Sequence, residues 1–127
     1  MSDLPFAITP EAAGQIERVL LDAQKDLNLL AMARVLGYTT HCSWTDPEGG
    51  GGWYPFPHVV LGWHPSEEVV GNSEYTELEL VGFRVFAHQD TLERLRGKRI
   101  VLDKGQDMAG VDMLAVEGTV ASRRGLR

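Results

Sequence analysis

Residues 79–105 read ELVGFRVFAHQDTLERLRGKRIVLDKG, and they decide the fold more than any other stretch. Leu80-Val81-Gly82-Phe83-Arg84-Val85-Phe86 is an extended run. After Gly82, alternation puts Phe83, Val85 and Ala87 on one face and Arg84, Phe86 and His88 on the other. Gly82 interrupts the run that starts at Tyr75, which predicts a hairpin turn or bulge there with a strand on each side. A short helix follows. Asp90 is its expected cap, Glu93 stands three residues on, and the helix is read as starting near Thr91. Leu92 and Leu95 give an apolar stripe, and Gly97 suits the left-handed residue that ends a helix. Lys98 to Asp103 extends again and turns at Lys104-Gly105. The unit is strand, short helix, strand.

Upstream, Thr9-Pro10-Glu11 is a helix start: threonine caps, proline takes the first position, and glutamate meets the positive end of the dipole. Ala12, Ile16, Val19, Leu20 and Ala23 recur at helical spacing, which predicts a long helix over Pro10 to Lys25. Phe6-Ala7-Ile8 before it reads as a short strand or an apolar lead-in. Residues 27–38 contain good helix formers. Their place between a helix and a turn-rich segment favours strand, and strand is the reading adopted.

Thr39 to Pro57, TTHCSWTDPEGGGGWYPFP, reads as a long loop. Gly49 to Gly52 remove regular structure, while Trp44, Trp53, Tyr54 and Phe56 need something to pack on. No Gly-Lys-Ser/Thr follows the glycines, so this is not a phosphate loop. His58 to His64 reads as a strand ended by Pro65. Ser66 to Ser73 is a connection with a turn at Gly71-Asn72. Met108 to Val111 is loop-like, Met113 to Val116 a last strand, and residues 122–127 a flexible tail. No repeat or linker divides the chain, so residues 1–127 are read as one domain.

Composition narrows the function classes. Hydrophobic residues make up 43% and charged residues 24% of 127, as in soluble globular domains. The net charge of -6 argues against nucleic acid as a partner. Arg94, Arg96, Lys98 and Arg99, with Arg123, Arg124 and Arg127, are read as a solvated face and a basic tail. No apolar run approaches the roughly 20 residues of a membrane span. The N-terminus lacks the charged and apolar regions of a secretion signal. Cys42 is alone, so no intrachain disulfide forms. The expected location is the cytoplasm.

The order of these segments resembles the A-type iron–sulfur carrier family, the HesB/IscA-like proteins. Ile8-Thr9-Pro10-Glu11-Ala12-Ala13 is similar to the family opening [IL]-T-x-x-A-A. Gly97 to Gly105 is similar to G-x-x-[IL]-x-[FL]-x-x-G. Cys42-Ser43 stands where the first family cysteine would be. The resemblance implies an α+β fold: mixed or antiparallel β-sheets, one long N-terminal helix and one short helix, IscA/HesB-like. It also implies departures. The carriers use three cysteines, and where their Cys-Gly-Cys pair would fall this chain has Glu117-Gly118-Thr119-Val120. One thiolate cannot supply the several that a cluster needs. Only Cys42 is carried over as a cofactor-binding residue.

Candidate metal ligands are Cys42, His41, His58 and His64. A cysteine beside a histidine can be an activated nucleophile or a ligand, although neighbours on a strand point apart. His58 and His64 share a strand face but lie about 20 Å apart along it. Each needs Cys42, His41 or His88 from a neighbouring strand to complete a two- or three-ligand site. The cofactor is left open between an iron–sulfur cluster and a single metal, with none preferred. Trp44, Trp53, Tyr54 and Trp63 are the candidate ligand or partner surface; core packing is the alternative. There is no GxSxG, HExxH or Rossmann fingerprint. The leading expectation is a non-enzymatic HesB/IscA-like binding or adaptor domain, with a protein partner or self-association. The alternatives are a metal or iron–sulfur protein using Cys42, and a thiol-dependent enzyme at Cys42.

Overall fold

The computed structural model describes residues 4–103 and 113–117. Its backbone of interactions is an antiparallel pair, β2 (Met32–Thr45) and β3 (Gly51–Pro65). β5 (Phe83–His88) joins β2 in parallel, and β4 (Tyr75–Leu80) pairs antiparallel with β5. On the other side, β7 (Met113–Glu117) joins β3 and β6 (Arg99–Asp103) joins β7, both antiparallel. β1 (Ala7–Ile8) lies parallel to β6. The result is one seven-stranded mixed sheet in the order β1-β6-β7-β3-β2-β5-β4.

This corrects the α+β expectation. Strands make up 50% of the described residues and helix 28%, and the sheet is a curled half-barrel. The N-terminal helix α1 is Pro10–Ala23, fourteen residues rather than a long helix. Three short helices, α2 (Leu27–Leu30), α3 (Ser66–Val69) and α4 (Gln89–Leu95), replace the single short one. Two segments account for much of the difference. Residues 39–57, expected as a loop, are mostly strand. Residues 27–38, expected as strand throughout, begin with a helical turn that Asp26 caps by accepting from the Asn28 amide at 2.9 Å before β2 starts.

Local signals place the other boundaries. Thr9 Oγ1 accepts from the Ala12 amide at 3.3 Å, with Pro10 starting α1. Ala12, Ile16 and Leu20 are fully buried, one turn apart. The β4–β5 hairpin closes at Leu80 and Phe83, so its turn is Val81-Gly82, both with positive φ. That is the primed-turn backbone whose twist matches a hairpin. A β-branched residue there carries strain of order 1 kcal/mol. Val81 packs against the main core, which offsets it. The cap of α4 is His88, whose Nδ1 accepts from the Asp90 amide at 3.1 Å, rather than Asp90 itself. Gly97, at φ +73, follows α4 as expected.

The sheet has two apolar faces of unequal size. Leu36, Val59, Leu78, Leu80, Val85, Ala87, Ile100 and Leu114 share the main core with the buried residues of α1 and with Leu95 and Phe6. Ala33, Val35 and Phe86 point to the other face, where Val69 of α3 covers them. No helix among the described residues is long and apolar enough to cross a membrane. The expected turn at Lys104-Gly105, the loop at 108–111 and the tail at 122–127 lie outside the described residues.

Leu36 is fully buried at the centre of β2. Leu36→Ala is expected to cost about 2–5 kcal/mol through lost burial and a residual cavity. Val60→Ala, at a 46% exposed position, is expected to cost under about 1 kcal/mol. Urea denaturation midpoints of both variants check the contrast.

Candidate functional site

β2 and β3 outrun their neighbours. Among the described residues, β5 pairs with β2 only at Val35 and Leu36, and β7 pairs with β3 only at His58 and Val59. Beyond those points His41–Thr45 and Gly51–Pro55 pair with each other as a two-stranded ribbon. From Thr39 to Thr45 it runs about 20 Å at about 3.3 Å per residue.

The sequence closes this ribbon with one side chain. Asp46 Oδ1 accepts from the amides of Gly50 at 2.7 Å and Glu48 at 3.0 Å. The Asp46 amide donates to the Gly50 carbonyl at 2.9 Å, and Gly49 takes φ +90. The glycine run therefore serves the turn and then enters the ladder, with Gly51 opposite Thr45 and Gly52 opposite Trp44. The register slips between Thr39 and His41, where β3 spends an extra residue. Pro57 falls in that bulge, a position that tolerates a residue with no N–H.

Alternation then distributes the candidate residues. Cys42 is opposite Tyr54, while His41 is opposite Pro55 and faces the other way. His41 Nδ1 lies 2.9 Å from Thr40 Oγ1, and the Cys42 thiol lies 3.8 Å from the Ser43 carbonyl. His41 is therefore not aimed at the thiol. His58, only 6% exposed, is opposite Thr39. Its Nδ1 is 2.7 Å from the Phe56 carbonyl, which can only accept, so Nδ1 carries the proton. His64 is opposite Ala33, nine residues and roughly 30 Å along β2 from Cys42. Metal ligands sit about 2.0–2.3 Å from their ion. Cys42, His41, His58 and His64 are not brought together, and no group of three metal-ligating side chains occurs among the described residues. His88, the other candidate partner, is used in the fold: it caps α4, and its Nε2 lies 3.4 Å from Glu74 Oε1.

The aromatic residues are divided too. Trp53 is 73% exposed, whereas Tyr54, on the other ribbon face, is half-buried. Trp63 lies ten residues, roughly 30 Å, further along β3. The side chain of Trp44 lies outside the described residues. The unforeseen feature is a ladder: Tyr54 and Phe56 ring centroids are 6.1 Å apart, and Phe56 stacks on His58 at 5.3 Å and 25°. Its signal was the spacing of two in YPFPH, which reading the segment as a loop concealed.

Two surface depressions lie on the sheet outside the ribbon. One, of about 260 Å³, lies where β3 and β7 part beside α1, lined by Gln15, Val19, His58, Leu61 and Met113 among others. Gln15 Oε1 is buried without a protein partner. The other, about 400 Å³, runs over the β4–β5 hairpin past Glu77, Phe83 and Arg84. There Arg84 pairs with Glu77 at 3.1 Å and lies 5.0 Å from the Phe86 ring centre. Neither depression contains Cys42.

Asp46→Ala removes both side-chain bonds that close the ribbon. It is expected to weaken the turn by about 1 kcal/mol, which corresponds to roughly fivefold faster local opening. Hydrogen exchange at the Trp44 and Gly52 amides, the next hydrogen-bonded pair along the ladder, measures this, with the main-core amides of α1 unchanged.

No protein-family model matches the chain, and comparison with curated proteins finds no match.

Proposed function

We propose that this protein is a non-enzymatic binding or adaptor module whose contact element is the β2–β3 ribbon. The observation that carries the reading is Trp53, 73% exposed on a ribbon that no other described strand joins. An indole in water is an unfavourable use of a large apolar side chain, and tryptophan is enriched among residues that dominate protein contacts. Pro55 follows it on the same face, two residues along.

Catalysis is not part of the proposal. The Cys42 thiol has the Ser43 carbonyl as its contact rather than a general base, and the ring nitrogen of His41 is engaged with Thr40. Carrier chemistry of the HesB/IscA kind is not part of it either, because the four candidate ligands stand apart along β2 and β3. Its proposed setting is the cytoplasm, a compartment that keeps a single thiol reduced.

Immobilised wild-type protein is expected to retain a specific partner from extract of its source cells, and Trp53→Ser to lose it. Trp53→Phe should retain it in part. As the site is exposed, all three proteins should melt within the range of a surface change, about 0.5 kcal/mol. Equal capture by wild type and Trp53→Ser overturns the reading. Anaerobic reconstitution with iron and sulfide tests the carrier alternative: wild type and Cys42→Ser are both expected to stay colourless. A coloured, sulfide-containing species lost in Cys42→Ser overturns the proposal in favour of cluster binding.

A further inference from the structure

A sheet of this kind exposes strand edges, and unpaired N–H and C=O groups along an edge are a template for another strand. Among the described residues most free edges are short or blunted; two are not, the edge of β3 along Val60–His64, which ends at Pro65, and the longer edge of β2 beyond Leu36. β1 is two residues long. β4 carries Glu77 and Glu79, which would set carboxylates against carboxylates where two copies of this edge meet. In the ribbon, β3 carries Pro55 and Pro57, which have no N–H to offer. The outer edge of β2 beyond Leu36 has none of these devices. From Thr39 to Thr45 it reads TTHCSWT, without proline, lysine, arginine or carboxylate, and with three β-branched threonines. The bulge lies in β3, so β2 itself stays regular there.

We infer that this edge pairs antiparallel with the same edge of a second copy, joining two ribbons into a four-stranded sheet. Symmetry determines the register. In a two-fold antiparallel pair the two positions that face each other have numbers with an even sum, because only residues of like hydrogen-bonding orientation meet. Thr39–Thr45 overlaps its own copy completely when that sum is 84. Cys42 then lies on the axis facing Cys42 of the copy, His41 faces Ser43, and Thr40 faces Trp44. No ionised carboxylates or ammonium groups oppose each other. The contact is small beside standard interfaces, so the dimer is concentration-dependent. It presents two copies of Trp53 on one platform. The pairing uses the β2 edge and not the Trp53 side chain, so it stands or falls separately from the binding role proposed above.

Sedimentation equilibrium across the micromolar to millimolar range tests it. Wild type is expected to show a monomer–dimer equilibrium, and Trp53→Ser to keep it. His41→Asp with Ser43→Asp places carboxylates opposite each other twice and should raise the dissociation constant about tenfold or more. His41→Lys with Ser43→Asp places unlike charges at the same positions and should restore the dimer to within a few-fold of wild type. Both positions are exposed, so circular dichroism should show all variants folded. Diamide should join the copies through Cys42: two thiols lose two protons and two electrons, forming one S–S bond, and the diazene is reduced to the hydrazine. A wild type that is monomeric throughout overturns the inference. So does a dimer whose strength is the same in both charge variants.

Discussion

The ladder between β2 and β3 is the constraint on which the rest of the molecule hangs. Every other strand reaches the sheet through one of these two. β5 and then β4 are attached to β2, and β7, β6 and β1 are attached in turn to β3. Both attachments are short, two residue pairs each. The long ladder thus does two things: its middle holds the curled sheet, and its free end forms the ribbon. The bulge opposite Thr40 lies near the point where one role gives way to the other. A bulge bends and twists the strand that contains it.

The same alternation that builds the core disperses the reactive groups. Leu36 turns inward towards α1 because Val35 turns towards α3, and one residue of slip would exchange them. Further along, that rule sends His41 and Cys42 to opposite faces. Histidines are bound into local structure instead. His58 donates to the Phe56 carbonyl within its own strand, and His88 accepts from the Asp90 amide to start α4. His88 has both ring nitrogens engaged in this way, whereas His58 keeps Nε2 and is separated from the other candidates by its place in the ladder. A strand supplies its residues in a line, and a site needs them at a point. The ribbon therefore offers a surface rather than a centre, with Trp53 on one face and the stacked Tyr54-Phe56-His58 ladder on the other.

Much of what the chain does locally was legible in its residues. Thr9-Pro10 starts α1, Gly97 ends the segment after α4, and Val81-Gly82 turns the β4–β5 hairpin. Each depends on groups within a few positions of one another: a hydroxyl and an amide, or a φ that glycine tolerates. The strand through His58–His64 and the last strand at Met113 also followed from alternation and apolar runs. The pairing of His41–Thr45 with Gly51–Pro55 did not. Four consecutive glycines weigh against strand when each residue is judged alone, and only the partner strand and the Asp46 turn reverse that balance. Cys42, His41, His58 and His64 are residue types that can ligate a metal, but whether they meet depends on register and bulge.

The sequence by itself therefore determined the α1 cap, the Val81-Gly82 turn, the apolar face of α1 and the lone thiol, because those follow from short-range sterics and hydrogen bonding. The tertiary structure alone decided the mostly β architecture, the order of the strands and the separation of Cys42 from His58 and His64. Among the described residues it also left the β2 edge unpaired beyond Leu36, where the pairing with β5 ends. These are outcomes of pairing between residues distant in the chain, whose register is selected by burial of whole faces and is not encoded at any one position.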